Sequence, residues 1–105
     1  MIYTIDEIKK RIEPVAKDYT LKRIYIFGSY ARGEATEESD VDILVEGFND
    51  KRFFAFAGFF VDLEEALEKK IDLVHAEAFD KDNNPDKLSL RLRDKIYEDR
   101  VKIYG

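Results

Sequence analysis

The chain contains no cysteine, which excludes disulfides and thiolate metal sites and is compatible with a reducing cytoplasm. A long hydrophobic run is missing too. The longest strongly apolar stretch, Phe53 to Val61, falls well short of the roughly 20 residues that a membrane-crossing helix needs. The opening MIYTIDEIKK carries no apolar signal region. Positive charge is not in excess, since the formal net charge is −5 and the sequence pI lies near 4.9. That balance argues against a general affinity for nucleic-acid backbone, and direct nucleic-acid binding is not expected. Repeats, linkers and low-complexity segments are absent. The reading is a soluble, cytoplasmic protein without membrane attachment. Its 105 residues are expected to form one domain over 1–105, large enough for a core but without room for a second module.

What is present centres on IFGSYARGEATEESDVDILV, Ile26 to Val45. An apolar strand ends at Gly28, whose lack of a side chain permits a sharp turn and leaves space for a bound group. Ser29 adds a hydroxyl and a backbone N–H at the same spot. Such a turn can hold a phosphate, the more so if Ser29 to Arg32 opens a short helix with free N–H groups. Ten residues lie between Ser29 and Asp40. The following Asp-Val-Asp alternates acidic and apolar, which directs Asp40 and Asp42 to one face of a strand with Cα atoms roughly 6.5 Å apart. Both carboxylates can then reach a common magnesium. A carboxylate pair opening a buried-type strand is costly to bury without a cation, which places it at the strand's edge. Glu34, Glu37 and Glu38 read as a solvated loop.

The rest of the chain supplies a scaffold. Thr4 and Glu7 form a capping box, and Ile5, Ile8, Ile12 and Val15 the stripe of a first helix, which Pro14 should kink or end. Leu21 to Phe27 reads as the first strand and VDILV as the second. Phe53, Phe56, Phe60, Leu63 and Leu67 recur at helical steps and predict the inner face of a second helix, with Phe54, Phe59 and Val61 outside it. That surplus is either a wide apolar face or a docking surface for a partner. IDLVHA is the third strand; its Asp72 needs a partner, for which the metal shared with Asp40 and Asp42 is the candidate. His75 reads as a strand-end residue. Asp80 to Lys87 is a turn with Asn84-Pro85 as helix start, Leu88, Leu92 and Ile96 mark a third helix, and RVKIY a closing edge strand. Lys87, Arg91, Arg93 and Lys95 read as solvated charge, with phosphates or an acidic partner as possible contacts. The fold class is α/β, a small mixed sheet with helices packed against it.

Gly28-Ser29, Ala31-Arg32-Gly33, Ser39-Asp40 and Asp42 resemble the signature of the polymerase-beta superfamily of nucleotidyltransferases, in particular its small prokaryotic branch, the minimal nucleotidyltransferases. KKIDLV is similar to the strand that bears the family's last catalytic carboxylate, here Asp72. The likeness runs from Leu21 to Val74 and weakens towards both ends. It implies a nucleotidyltransferase-like fold and a Mg2+-dependent enzyme with two ions held by Asp40, Asp42 and Asp72. Gly28 and Ser29 would bind the β- and γ-phosphates of ATP, and attack on the α-phosphorus would release pyrophosphate. Asp72 would also accept the proton of the attacking hydroxyl. Arg32 would balance phosphate charge, or else only fix the turn.

Members of the minimal branch commonly accompany a helical HEPN-domain toxin, an RNase, and act as its antitoxin by moving AMP onto a toxin tyrosine. The resemblance implies the same here, and an acidic surface with surplus phenylalanines fits such a partner. Two other readings stay open. One is a small-molecule nucleotidyltransferase of the antibiotic-modifying kind, which should need an acceptor domain or a homodimer cleft. The other is a non-catalytic antitoxin acting by binding alone, which would tolerate loss of the triad. ATP as donor rests on the family only, since no residue is visibly a base reader.

Overall fold

The structure, a computed structural model, describes residues 2–79 and 87–105. Its elements follow the expected order: helix α1 (Ile5–Lys17), strand β1 (Arg23–Phe27), the short helix α2 (Gly28–Arg32), β2 (Val41–Glu46), α3 (Ala55–Leu67), β3 (Ile71–His75), a 3-10 turn (Ala76–Phe79), α4 (Lys87–Asp99) and β4 (Val101–Tyr104). The capping box is formed as predicted. Thr4 Oγ1 accepts from the Glu7 N–H at 3.1 Å, and the Thr4 N–H donates to Glu7 Oε1 at 2.9 Å. Pro14 does not end α1, which continues to Lys17. The expected turn at Asp80 to Lys87 lies outside the described residues, apart from Lys87, where α4 begins. So does the side chain of Leu88.

The four strands form one sheet in the order β3-β2-β1-β4. β1 runs antiparallel to both its neighbours, whereas β2 and β3 are parallel. A parallel pair needs a long crossover rather than a hairpin, and α3 supplies it. Alternation along the strands divides side chains between two faces. On one face Ile24, Ile26, Val41, Ile43 and Val45 are fully buried with Ile8 and Ile12 of α1 and Phe59, Leu63 and Leu67 of α3. Backbone acceptors tie the two helices together: Tyr3 Oη donates to the Leu67 carbonyl at 2.6 Å and Arg11 Nη1 to that of Ala66 at 3.0 Å. The other face carries a smaller cluster of Leu44, Ala76 and Ile96, with Tyr25, Phe27 and Val74 packed against it.

The second helix is rotated relative to expectation. Its buried residues are Ala55, Phe59, Leu63 and Leu67. Phe53 precedes the helix and is 92% exposed; Phe54, at its N-cap with φ 55°, is 81% exposed, and Phe56 is also exposed. Leu63 and Leu67 fit either stripe, and tertiary partners decide between them. The Phe59 ring meets Tyr19 at 5.1 Å and Phe48 at 5.2 Å between centroids, aromatic contacts that period alone does not reveal. Among the described residues no helix is long and apolar enough to cross a membrane.

Candidate active site

The Gly-Ser turn and the aspartates are brought together by strand register. Phe27, the last residue of β1, pairs with Asp42 on β2, and Asp42 pairs in turn with Asp72 on β3. Cross-strand partners project to the same face. That face is the one bearing Leu44 and α4, because Asp42 alternates with the inward Val41 and Ile43. Gly28 follows Phe27 directly, at φ +72°, and a Cβ built there would run into the Asp42 carboxylate. The glycine therefore both makes the turn and lets the carboxylate lie against the backbone. Ser29, in the first turn of α2, is half-buried. Beyond α2, Gly33 caps the helix in the left-handed conformation, and the loop to β2 is closed by the Thr36 N–H donating to Ser39 Oγ at 2.9 Å.

Asp42 is half-buried and Asp40 and Asp72 are exposed. Burial is the main reason the Asp42 carboxyl is pushed up to about 6; a hydrogen bond with Asp72 and the charges of Asp72 and Asp40 act in the same direction, and Arg32 opposes them. Two neighbouring carboxylates offer hard oxygen ligands, the donor set that suits a divalent ion such as magnesium. Asp42 and Asp72 are thus the residues that could hold one. Among the described residues no group of three or more His, Cys, Asp or Glu side chains is drawn together as a ligand cluster. Asp40 acts on Asp42 through its charge.

Arg32 is engaged within the protein. Nε donates to Glu34 Oε2 at 3.1 Å and Nη1 to Asp99 Oδ2 at 3.0 Å, and these bonds, to Glu34 first and Asp99 second, raise its pKa. Asp99 lies at the end of α4 and was not singled out in the sequence. With Leu92, Lys95 and Ile96 it forms one helix face over the site, a signal present in the i, i+3, i+4, i+7 spacing. Between this face and the end of β1 is a cavity of about 170 Å³ with Phe27, Gly28 and Asp42 in its wall. His75, by contrast, stands three register positions along β3 from Asp72, roughly 10 Å away. Its Nδ1 lies 2.8 Å from Glu77 Oε2 and its ring against Phe56, away from the carboxylates.

At that far end a hollow of about 600 Å³ is walled by Asp18, Thr20, Asp50 and Arg52. Within it Arg52 Nη2 donates to Asp50 Oδ2 at 2.7 Å and to the Asp18 carbonyl at 2.6 Å. Those bonds clamp the loop before α3.

A mixed four-stranded sheet that sets a Gly-Ser turn beside carboxylates on the next two strands has the architecture of a nucleotidyl-transferring enzyme. The chain belongs to the nucleotidyltransferase domain family, which it matches over residues 5–103. It is 38% identical over 79 residues to the protein adenylyltransferase MntA of Thermococcus cleftensis, covering 68% of this chain and 76% of the relative. The same fold occurs in a crystal structure of a toxin–antitoxin with AMP-PNP (TM-score 0.68, 24% identity, 92% of this chain and 73% of that one). It recurs in the complex of a tri-AMPylated Shewanella oneidensis HEPN toxin with its MNT antitoxin (TM-score 0.64, 21% identity, 97% and 73%). The protein is accordingly an enzyme of the nucleotidyltransferase type.

Proposed function

We propose that this protein transfers AMP from ATP to a hydroxyl of a partner protein, a tyrosine of a HEPN-domain toxin, and thereby acts as its antitoxin within the cytoplasm. The observation that carries the reading is the contact of Gly28 with the Asp42 carboxylate, itself in register with Asp72: a phosphate-holding turn adjoins a carboxylate pair. The relatives add support. One is named a protein adenylyltransferase, one solved complex holds AMP-PNP and another holds a tri-AMPylated HEPN toxin. A protein acceptor also suits a chain with net charge −5 and with Phe53 and Phe54 exposed side by side, ring centroids 5.6 Å apart.

In this mechanism Gly28 and Ser29 hold the β- and γ-phosphates, and Arg32 balances their charge once it leaves one of its carboxylate partners. Asp40, Asp42 and Asp72 would hold magnesium, as one or two ions. Bound there, the metal supplies charge neutralisation for the phosphate oxygens. Asp72, exposed beside Asp42, accepts the proton of the attacking hydroxyl. The hydroxyl oxygen bonds to the α-phosphorus, the bond from that phosphorus to the bridging oxygen breaks, and pyrophosphate leaves. The 1–105 chain is one catalytic unit that receives its acceptor from the partner.

The test is intact mass spectrometry after incubation with ATP and magnesium, with and without a HEPN partner and with Asp40→Ala/Asp42→Ala as control. AMP-sized additions on the partner that vanish in the double variant are expected. An unmodified partner that still binds would overturn the transfer reading in favour of neutralisation by binding.

A further inference from the structure

We infer that the cavity between β1 and α4 is the seat of the nucleobase, and that Phe27, Leu92 and Ile96 are the base-reading residues that the sequence did not disclose. This rests on the proposed use of a nucleoside triphosphate and names the part of the site that recognises it. The cavity measures about 170 Å³, and Phe27, Leu92 and Ile96 give it an apolar wall beside charged residues at its rim. Ligand sites for whole drug-sized molecules run to about 300–1,000 Å³. The space thus suits one flat heterocycle and not a nucleotide.

Its position selects the occupant. Gly28 and Asp42 form part of the same wall, so a ring seated here is joined without a break to the turn assigned to the phosphates. Arg32, Asp42, Lys95 and Asp99 are the charged groups of the lining. Lys95 and Arg32 also line an open groove of about 610 Å³ alongside, together with Arg91 and the carboxylates Glu34, Asp94, Glu98 and Asp99. Phe27 brings an aromatic ring, on which any base can stack. Leu92, half exposed, and Ile96, buried against Leu44, supply the opposite wall from α4. A pocket that grips by stacking and apolar contact holds a base without many hydrogen bonds, and discrimination among purine triphosphates is correspondingly modest.

The experiment is titration calorimetry in magnesium without any acceptor, using ATP and inorganic tripolyphosphate as ligands for the wild-type chain and for Leu92→Ala. Leu92 is 50% exposed, so the variant folds, and a melting curve verifies it. Wild type should bind ATP more tightly than tripolyphosphate, and Leu92→Ala should weaken ATP by about fivefold while tripolyphosphate is unchanged. Equal loss for both ligands, or no loss for ATP, overturns the base pocket and leaves the transferase reading intact. If ATP is unaffected but the KM for the protein acceptor rises, the cavity belongs to the acceptor's ring, which equally overturns the assignment. Failure of wild type to bind either ligand removes both readings together.

Discussion

The two faces of the sheet are made from the same strands and do different work. On the face towards α1 and α3, Ile24, Ile26, Val41, Ile43 and Val45 have no exposed surface. On the face towards α4, Leu44 alone among the strand residues is as deeply buried, while Asp42 is half-buried and Asp72 exposed. β2 shows the contrast within one strand, because Asp42 and Leu44 alternate with Val41, Ile43 and Val45. One side supplies the apolar burial that offsets the entropy of folding; the other, left thin, can afford a carboxylate pair with like charges close together. The proposed active site sits where packing is least complete.

That division predicts opposite outcomes for substitutions on the two sides. Phe59→Ala removes a fully buried ring and should cost about 3–5 kcal/mol of stability, read from the urea midpoint with an unchanged slope. Asp42→Asn should leave the melting temperature close to wild type yet reduce AMP transfer by roughly a thousandfold, read from single-turnover rates. If instead it unfolds the chain, the thin face has a structural role that this comparison denies it. Gly28→Ala joins the two cases. Its positive φ and the Cβ collision with Asp42 should cost about 1–3 kcal/mol and also abolish transfer, so stability and activity should fall together at this position.

Smaller effects sharpen the contrast at the rim. The Arg32–Asp99 pair is partly exposed, and Asp99→Ala should change stability by no more than about 1 kcal/mol. Asp50, at the opposite end of the sheet, is held well below the usual carboxylate range, chiefly by hydrogen bonds from the Arg52 side chain and further by the backbone N–H groups of Arg52 and Thr20, against the effect of burial. A depressed folded pKa stabilises the fold above the ordinary aspartate value of about 4 and loses that contribution as pH falls through the folded value. Wild type should therefore exceed Asp50→Asn in stability at neutral pH, and the gap should close on acidification. A gap independent of pH, measured by denaturant melts along a pH series, would show that the clamp works by shape and not by charge.

Much of this was legible in the chain itself because it depends on neighbours in sequence. The Thr4–Glu7 capping box acts within one turn, and the element order follows from local periodicity. The alternation of Val41, Asp42, Ile43 declares that an acid and two core residues lie on opposite faces. The phenylalanine-rich helix was misleading for the reason that too many positions were apolar. Two stripes fitted, and the rings of Tyr19 and Phe48, which lie outside the helix, selected Phe59. For Arg32 the resemblance leaves two roles open, balancing phosphate charge or only fixing the turn, and nothing local reveals its partner Asp99, 67 residues on.

The sequence by itself determined the pieces: a Gly-Ser turn, carboxylates at strand spacing, an amphipathic helix with its start marked, and a charge balance that disfavours nucleic acid. These are set by side-chain chemistry and by periods of two and 3.6 residues, which are properties of the chain before it folds. Only the tertiary structure decided that Asp42 stands between Phe27 and Asp72, that α4 closes over them, and that Leu92 and Ile96 face Phe27 across a cavity. Those relations follow from strand order and from which helix covers which face, and they are fixed by the burial of the whole apolar surface at once.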